Sequence, residues 1–332
     1  MTGLKRTAIL RLWLAWASAA SACTSALIGA GLTRDGHTLL WKHRDSGFEQ
    51  NFIERVAATD STAAYVALFN GGDSLLLEAW AGVNDRRFAI MNTASYNLAP
   101  DTARIKDREG LIMTRALRCC GSVEDFARML DSLPRPLGVQ ANFGVIDGEG
   151  HGAYFETDDA GYRRFDLAAD SLLVRTNFSC SGTCGPGLGR VRYDNALHLF
   201  APHTVAHDFT PRLLTDTVSR SFYHSGRKEN ALDAGINCIE DVDFIPRRST
   251  SASIVIEMAD EPVMWVILGY PPLSTARPVT LHNVPDNMRP TLPGAISPLC
   301  DRKVRLRRQI IRRRGGKWFV DLRRLRELRD SD

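Results

Sequence analysis

Cys23 has the setting of a nucleophile. It follows Ala20-Ser21-Ala22, a small-x-small cleavage pattern, with a basic stretch up to Arg11 and an apolar stretch from Leu12 to Ala20 ahead of it. That order reads as a secretory signal over 1–22. Cleavage after Ala22 makes Cys23 the first residue of the mature chain, with a thiol and a free α-amine on one residue. An α-amine titrates at about 7.7–8.0, near working pH, so it can accept the proton of its own thiol. The resulting thiolate can attack an amide carbonyl without a separate histidine. The cysteines are 23, 119, 120, 180, 184, 238 and 300. Seven is odd, so in an oxidising compartment one is left over when the others pair. Cys23 fits that part.

The residues after Cys23 supply what a nucleophile needs around it. Cys23-Thr24-Ser25-Ala26-Leu27-Ile28 reads as a strand. Asp35-Gly36 is a turn signal, and Thr38-Leu39-Leu40-Trp41 a second strand ending in Lys42-His43-Arg44-Asp45. Two strands joined by a turn return Arg44 and Asp45 to the neighbourhood of Cys23. There a carboxylate can hold an ammonium and a cation can steady a thiolate or bind a substrate anion.

Further short motifs follow in order: Gly82-Val83-Asn84-Asp85 with Phe88 to Thr93, then Ala141-Asn142-Phe143-Gly144-Val145-Ile146-Asp147, then Arg175-Thr176-Asn177-Phe178, then Pro246-Arg247-Arg248-Ser249-Thr250-Ser251, then Met264-Trp265 to Leu268-Gly269. Together with Cys23 after A-S-A, this succession resembles the N-terminal nucleophile (Ntn) hydrolases. The branch is that of choloylglycine hydrolases, penicillin V acylases and acyl-CoA:6-aminopenicillanic acid acyltransferases, and the likeness runs through most of 23–300. The resemblance implies that Cys23 is the nucleophile and base, that Asp45 orients its amine, and that Asn92 and Asn177 donate to the oxyanion. It implies a late arginine, Arg247 or Arg248, with Arg247 favoured for its place after Pro246. One departure stands out. The bile salt hydrolases carry Arg three residues before the Asp, where this chain has Lys42. Either Lys42 takes the cation role or Arg44 reaches in, and the two cations are not equivalent at a bidentate site.

Plainer readings stand beside these. Asp45 fits a turn or cap, and Asn92 and Asn177 fit turns. Asn177-Phe178-Ser179 is a glycosylation sequon, although a glycan there would block a catalytic Asn. Cys180 and Cys184 suit a small disulfide loop that stiffens the segment after Asn177. The implied activity is hydrolysis of a linear, non-peptide amide: an N-acyl amino acid or amine, a fatty acid amide, a conjugated bile acid or a penicillin-type side chain. Dipeptidase action and acyl transfer are enzymatic alternatives. A lipid-anchored surface protein modified at Cys23 is the alternative of another class. No metal or organic cofactor is expected, and the expected location is periplasmic or extracellular.

The rest of the chain must position these residues. The 332 residues are 44% hydrophobic and 24% charged, with 26 Gly and 15 Pro, which excludes collagen, a disordered tail protein and a small disulfide knot. Mean hydropathy is −0.18, and no run of about 18 apolar residues argues for a polytopic membrane protein. The net charge of +4 is uneven. Residues 301–332 carry 13 Lys/Arg and 5 Asp/Glu, hence +8, and 1–22 carry +3, so the body over 23–300 is at 4 − 8 − 3 = −7. An acidic body with basic ends argues against a nucleic-acid partner. Strands are expected over 23–98, 141–177 and 252–270, and helix over 108–132 with Ser122 as an N-cap. The chain from 23 to 332 reads as one α+β domain with a basic helical extension over 301–332. The extension is taken as two helices broken at Gly315-Gly316, packing on the acidic body or touching an anionic membrane surface. The resemblance implies the four-layer αββα sandwich, and it leaves a homo-oligomer open.

Overall fold

The computed structural model describes residues 23–100, 102–293 and 295–329. The segment read as a secretory signal lies outside the described residues.

Strand β1 (Thr24–Ile28) turns through Asp35-Gly36 into β2 (Leu39–Asp45), with Gly36 at φ +70°. Seven strands then follow in sequence order as one antiparallel meander: β3 (Asn51–Val56), β4 (Tyr65–Asn70), β5 (Ala81–Asn84), β6 (Phe88–Ala94), β7 (Ala141–Asp147), β8 (Gly152–Thr157) and β9 (Tyr162–Asp166). Helices α1 (Glu109–Cys119) and α2 (Val123–Ser132) are inserted between β6 and β7. The Ser122 side chain accepts from the Asp125 N–H and caps α2, as its position in the sequence suggests. Strand β10 (Leu172–Arg175) returns to pair with β1, and helix α3 (Arg190–Ala206) follows. Short strands β11 (Tyr223–His224) and β12 (Glu229–Asn230) form a small hairpin, and β13 (Cys238–Glu240) comes next. Strands β14 (Thr250–Glu257), β15 (Val263–Leu268) and β16 (Arg277–Val279) complete a second sheet of order β10-β1-β2-β14-β15-β16.

The two sheets pack face to face because successive side chains of a strand point to opposite faces. Leu27, Leu40 and Ile254 from the six-stranded sheet meet Val66, Leu68, Val83 and Met91 from the meander. On the other face of the six-stranded sheet, Ala26, Ile28 and Trp41 pack on Ala196 and Phe200 of α3. On the outer face of the meander, Phe52, Phe69, Phe143 and Phe155 pack on Ile112 and Leu117 of α1 and Phe126 and Leu130 of α2. The layers therefore run helix, sheet, sheet, helix. This is the α+β, four-layer αββα arrangement expected above. Both faces of β1 are covered, so all five of its residues are buried. Burying each large apolar side chain contributes roughly 1.5–3 kcal/mol.

The basic C-terminal segment departs from the expectation. Helix α4 (Pro298–Ile310) is followed by strands β17 (Ile311–Arg314) and β18 (Lys317–Asp321), and only then by helix α5 (Leu322–Arg329). Gly315-Gly316 is thus the turn of a β-hairpin that pairs with β13, rather than a break between two helices. Gly-Gly between β-branched and aromatic residues is a hairpin signal. The segment docks on the body. Arg307 lies 2.5 Å from Glu49 and donates to the Thr250 carbonyl, and Arg308 also pairs with Glu49. Cys300 and Val304 join the core between the sheets. Among the described residues no helix is long and apolar enough to cross a membrane.

Candidate active site

Cys23 lies directly before β1 and is 3% exposed. Its strand is paired on both sides, to β10 through Ser25↔Arg175 and to β2 through Thr24↔His43 and Ser25↔Lys42. The ladder thus lays the Lys42–Asp45 end of β2 alongside the nucleophile position. The Cys23 thiol donates to the Asp45 backbone carbonyl at 3.6 Å.

Asp45 is fully buried. Its Oδ1 accepts from Thr250 Oγ1 at 2.6 Å and its Oδ2 from Arg247 Nε at 3.1 Å. Burial pushes the Asp45 carboxyl above its usual range, opposed by Arg247, Arg192 and the Thr250 hydroxyl. Of the two late arginines, Arg247 reaches the carboxylate. Arg248 instead pairs with Asp241 and lies over the Trp318 ring.

The two asparagines sit against cations. Asn177, 1% exposed, receives Arg192 Nη2 on its Oδ1 at 2.6 Å and donates from Nδ2 to the Ala94 carbonyl at 3.0 Å. That burial also closes the sequon at Asn177. Asn92 receives Lys42 Nζ on its Oδ1 at 2.7 Å, and the same ammonium donates to the Trp80 carbonyl at 2.6 Å. Arg44 is engaged elsewhere, donating to Asn51 at 2.6 Å, to Asn70 at 2.8 Å and to Ser251 at 3.2 Å, with its guanidinium over the Trp80 ring. Lys42 is therefore the cation that contacts a candidate oxyanion donor, and Arg44 secures the meander to β2. Burial pulls the Lys42 amine down to about 7, with Arg44 adding to the fall and Cys23 opposing it. Burial likewise lowers Arg44 to about 10.

His43 is buried beside Trp41, at 6.0 Å between ring centroids. Burial, with Arg192 and Arg247 nearby, pushes it down to about 3. It is a neutral packing residue at working pH. No disulfide joins any of the seven cysteines, so Cys180 and Cys184 do not form the loop bridge expected above. Glu156 instead holds the loop start, accepting from the backbone N–H groups of Cys180 and Ser181 at 2.8 and 2.7 Å. Among the described residues, no group of three or more His, Cys, Asp and Glu is gathered as metal ligands would be.

Two residues of the site escaped the sequence. Thr250 stands inside the arginine motif, where nothing distinguishes its hydroxyl from those of Ser249 and Ser251. Arg192 sits in the first turn of α3, 1% exposed, and donates from Nη1 to the Cys23 carbonyl at 2.6 Å and to Thr24 Oγ1 at 2.8 Å. It is one arginine in an arginine-bearing helix, and only the packing of α3 on β1 reveals its partners. The assembled site holds a thiol, a buried carboxylate with an arginine and a hydroxyl on its two oxygens, and two amides whose oxygens face cations. Such a set can generate a nucleophile and offer N–H groups to a developing negative charge.

No family model and no curated protein matches the chain. Among solved structures, it is similar to a Caenorhabditis elegans ortholog of N-acylethanolamine-hydrolyzing acid amidase (TM-score 0.48, 14% identity, covering 71% of this chain and 93% of that one). It is also similar to a variant of conjugated bile acid hydrolase from Clostridium perfringens (0.46, 10%, 78% and 93%). A third is penicillin V acylase from Agrobacterium tumefaciens (0.41, 13%, 74% and 82%). These are likenesses of backbone path, and the functional reading rests on the side chains of this chain.

Proposed function

We propose that this chain is an exported amidohydrolase that opens a linear, non-peptide amide through Cys23. The observation that carries the reading is the buried network around Cys23: its thiol donates to the Asp45 carbonyl, the Asp45 carboxylate is held by Arg247 and Thr250, and Arg192 bridges the Cys23 carbonyl and Asn177. After cleavage behind Ala22, the Cys23 α-amine takes the thiol proton, and Asp45, itself held by Arg247, orients that amine. Sulfur attacks the carbonyl carbon, and Asn177 and Asn92 donate to the oxyanion. Losing one such donor typically costs about 2.7–4 kcal/mol of transition-state stabilisation. The C–N bond breaks, and the leaving amine carries away the proton held on the α-amine. Water, deprotonated by the same amine, then attacks the thioester carbonyl and frees the acyl group as a carboxylic acid, returning the proton to sulfur. Attack by another amine in place of water is acyl transfer by the same route.

Two measurements test this. The intact mass of the secreted protein should correspond to a chain that starts at an unmodified Cys23; a lipidated or uncleaved Cys23 would remove the mechanism and favour the surface-anchored alternative. On a panel of N-acyl amino acids, N-acyl amines, fatty acid amides, conjugated bile acids and penicillin V, Cys23→Ala should be inactive. Activity undiminished in that variant would reject the assignment.

A further inference from the structure

A repeated arrangement near Cys23 goes beyond the reaction steps above. Each asparagine has its amide oxygen against a buried basic side chain: the Arg192 guanidinium on Asn177 and the Lys42 amine on Asn92. An asparagine amide has an acceptor end and a donor end that exchange on a half-turn. Guanidinium and ammonium groups only donate, so a cation on one side admits only the orientation that sends the amide nitrogen the other way. A charged partner on the oxygen also polarises the amide and strengthens its N–H groups as donors.

Arg192 adds a second constraint. Its two Nη atoms are fixed in one plane. Nη1 grips the Cys23 carbonyl and Thr24 Oγ1, and Nη2 grips Asn177 Oδ1. A single rigid fork thus spans the strand that carries the nucleophile and the segment that carries the amide donor. It comes from α3, a different layer of the fold, and it is buried at an electrostatic cost that lowers its pKa to about 10.

We propose that Arg192 is a positioning residue: one guanidinium sets both the orientation of Asn177 and its separation from the Cys23 backbone. This rests on the amidohydrolase reading.

A double-mutant cycle tests it, with an acyl p-nitroanilide as probe and Arg192→Gln, Asn177→Ala and the double variant as proteins. Arg192→Gln should lower kcat about 10²-fold, in the range for loss of one oxyanion donor, with KM little changed. The double variant should lose little beyond Asn177→Ala. Alkylation of Cys23 by iodoacetamide should fall far less than kcat in Arg192→Gln, since the bond lost on that residue is to its backbone carbonyl and not to sulfur. Arg192→Lys serves where the Gln variant does not fold. It keeps the charge but not the fork, so it should show the same non-additivity with a smaller loss of kcat. Multiplicative losses in the cycle, or slowed alkylation in step with kcat, would overturn the role of Arg192. A Cys23→Ala protein that still turns over the probe would overturn the underlying reading instead.

Discussion

Lys42 shows how strongly burial acts on a single side chain. Free in an unfolded chain, its amine holds a proton up to about 10.5, whereas in the folded protein it releases the proton near 7. Between those values the unfolded state binds more protons than the folded one, so stability must rise with pH across that window. Below about 7 both states are protonated and the penalty is constant. A Lys42→Met protein should therefore lose part of the upward slope, by as much as about 1.4 kcal/mol per pH unit. Urea denaturation at several pH values from 7 to 9.5 measures it, and equal slopes in the two proteins would contradict the burial argument. At this scale the sequence was legible where chemistry is local to a motif. Cys23, Asp45, Asn92, Asn177 and Arg247 are all named from short strings; hydrogen bonds link Cys23 to Asp45 and Asp45 to Arg247, Arg192 bridges Cys23 and Asn177, and Asn92 is tied to Lys42. The choice between Lys42 and Arg44 was not legible, because it depends on Asn51 and Asn70 lying across the sheet interface to occupy Arg44. Arg192 was invisible for the same reason, since 169 residues separate it from the carbonyl it grips.

Elements were read best where one side of the signal was enough. Ser122 capping α2 needs only residues 122–125, and Asp35-Gly36 needs only its own turn. The C-terminal hairpin is not legible locally, because the partner that draws β18 into a sheet is β13, far back in the chain. The most exacting element is β1, since it is fenced on both edges and both faces. Just beyond its end, Gly29 lies so close to the loop before β10 that an added Cβ would fall 2.3 Å from the Ala169 oxygen and 2.4 Å from the Ala168 oxygen. Both are backbone atoms and cannot swing aside. Gly29→Ala should force that loop away, breaking the Gly29 N–H bond to the Ser171 carbonyl and costing at least the ~1–3 kcal/mol of ordinary overpacking. Because β1 carries Cys23, turnover should fall along with the melting temperature. A variant with wild-type melting and full turnover would show that the loop yields freely.

For the whole molecule, the charge split acquires a structural meaning. The +8 segment over 301–332 is built into the body through Arg307, Cys300 and the β13–β18 pairing. A chain cut after residue 297 should lose cooperative unfolding, because Cys300 and Val304 leave the core between the sheets and Glu49 loses its partners. Calorimetry of the truncated chain checks this, and a sharp transition near the wild-type temperature would show the segment to be an appendage. The α+β class and the layers were foreseen largely through resemblance, since strand order in a sheet is set by long-range pairing that no local pattern carries. The position of Cys23 has one more consequence, which concerns order in time. A peptidase needs an extended, accessible stretch of chain on both sides of the bond it cuts. Here the bond behind Ala22 leads straight into a strand clasped by β10 on one edge and β2 on the other. If the leader is removed there, removal must come before β1 zips into its sheet, while the emerging chain is still slack. On the proposed reading the chain would then acquire its base, the new α-amine, before the fold closes over Cys23.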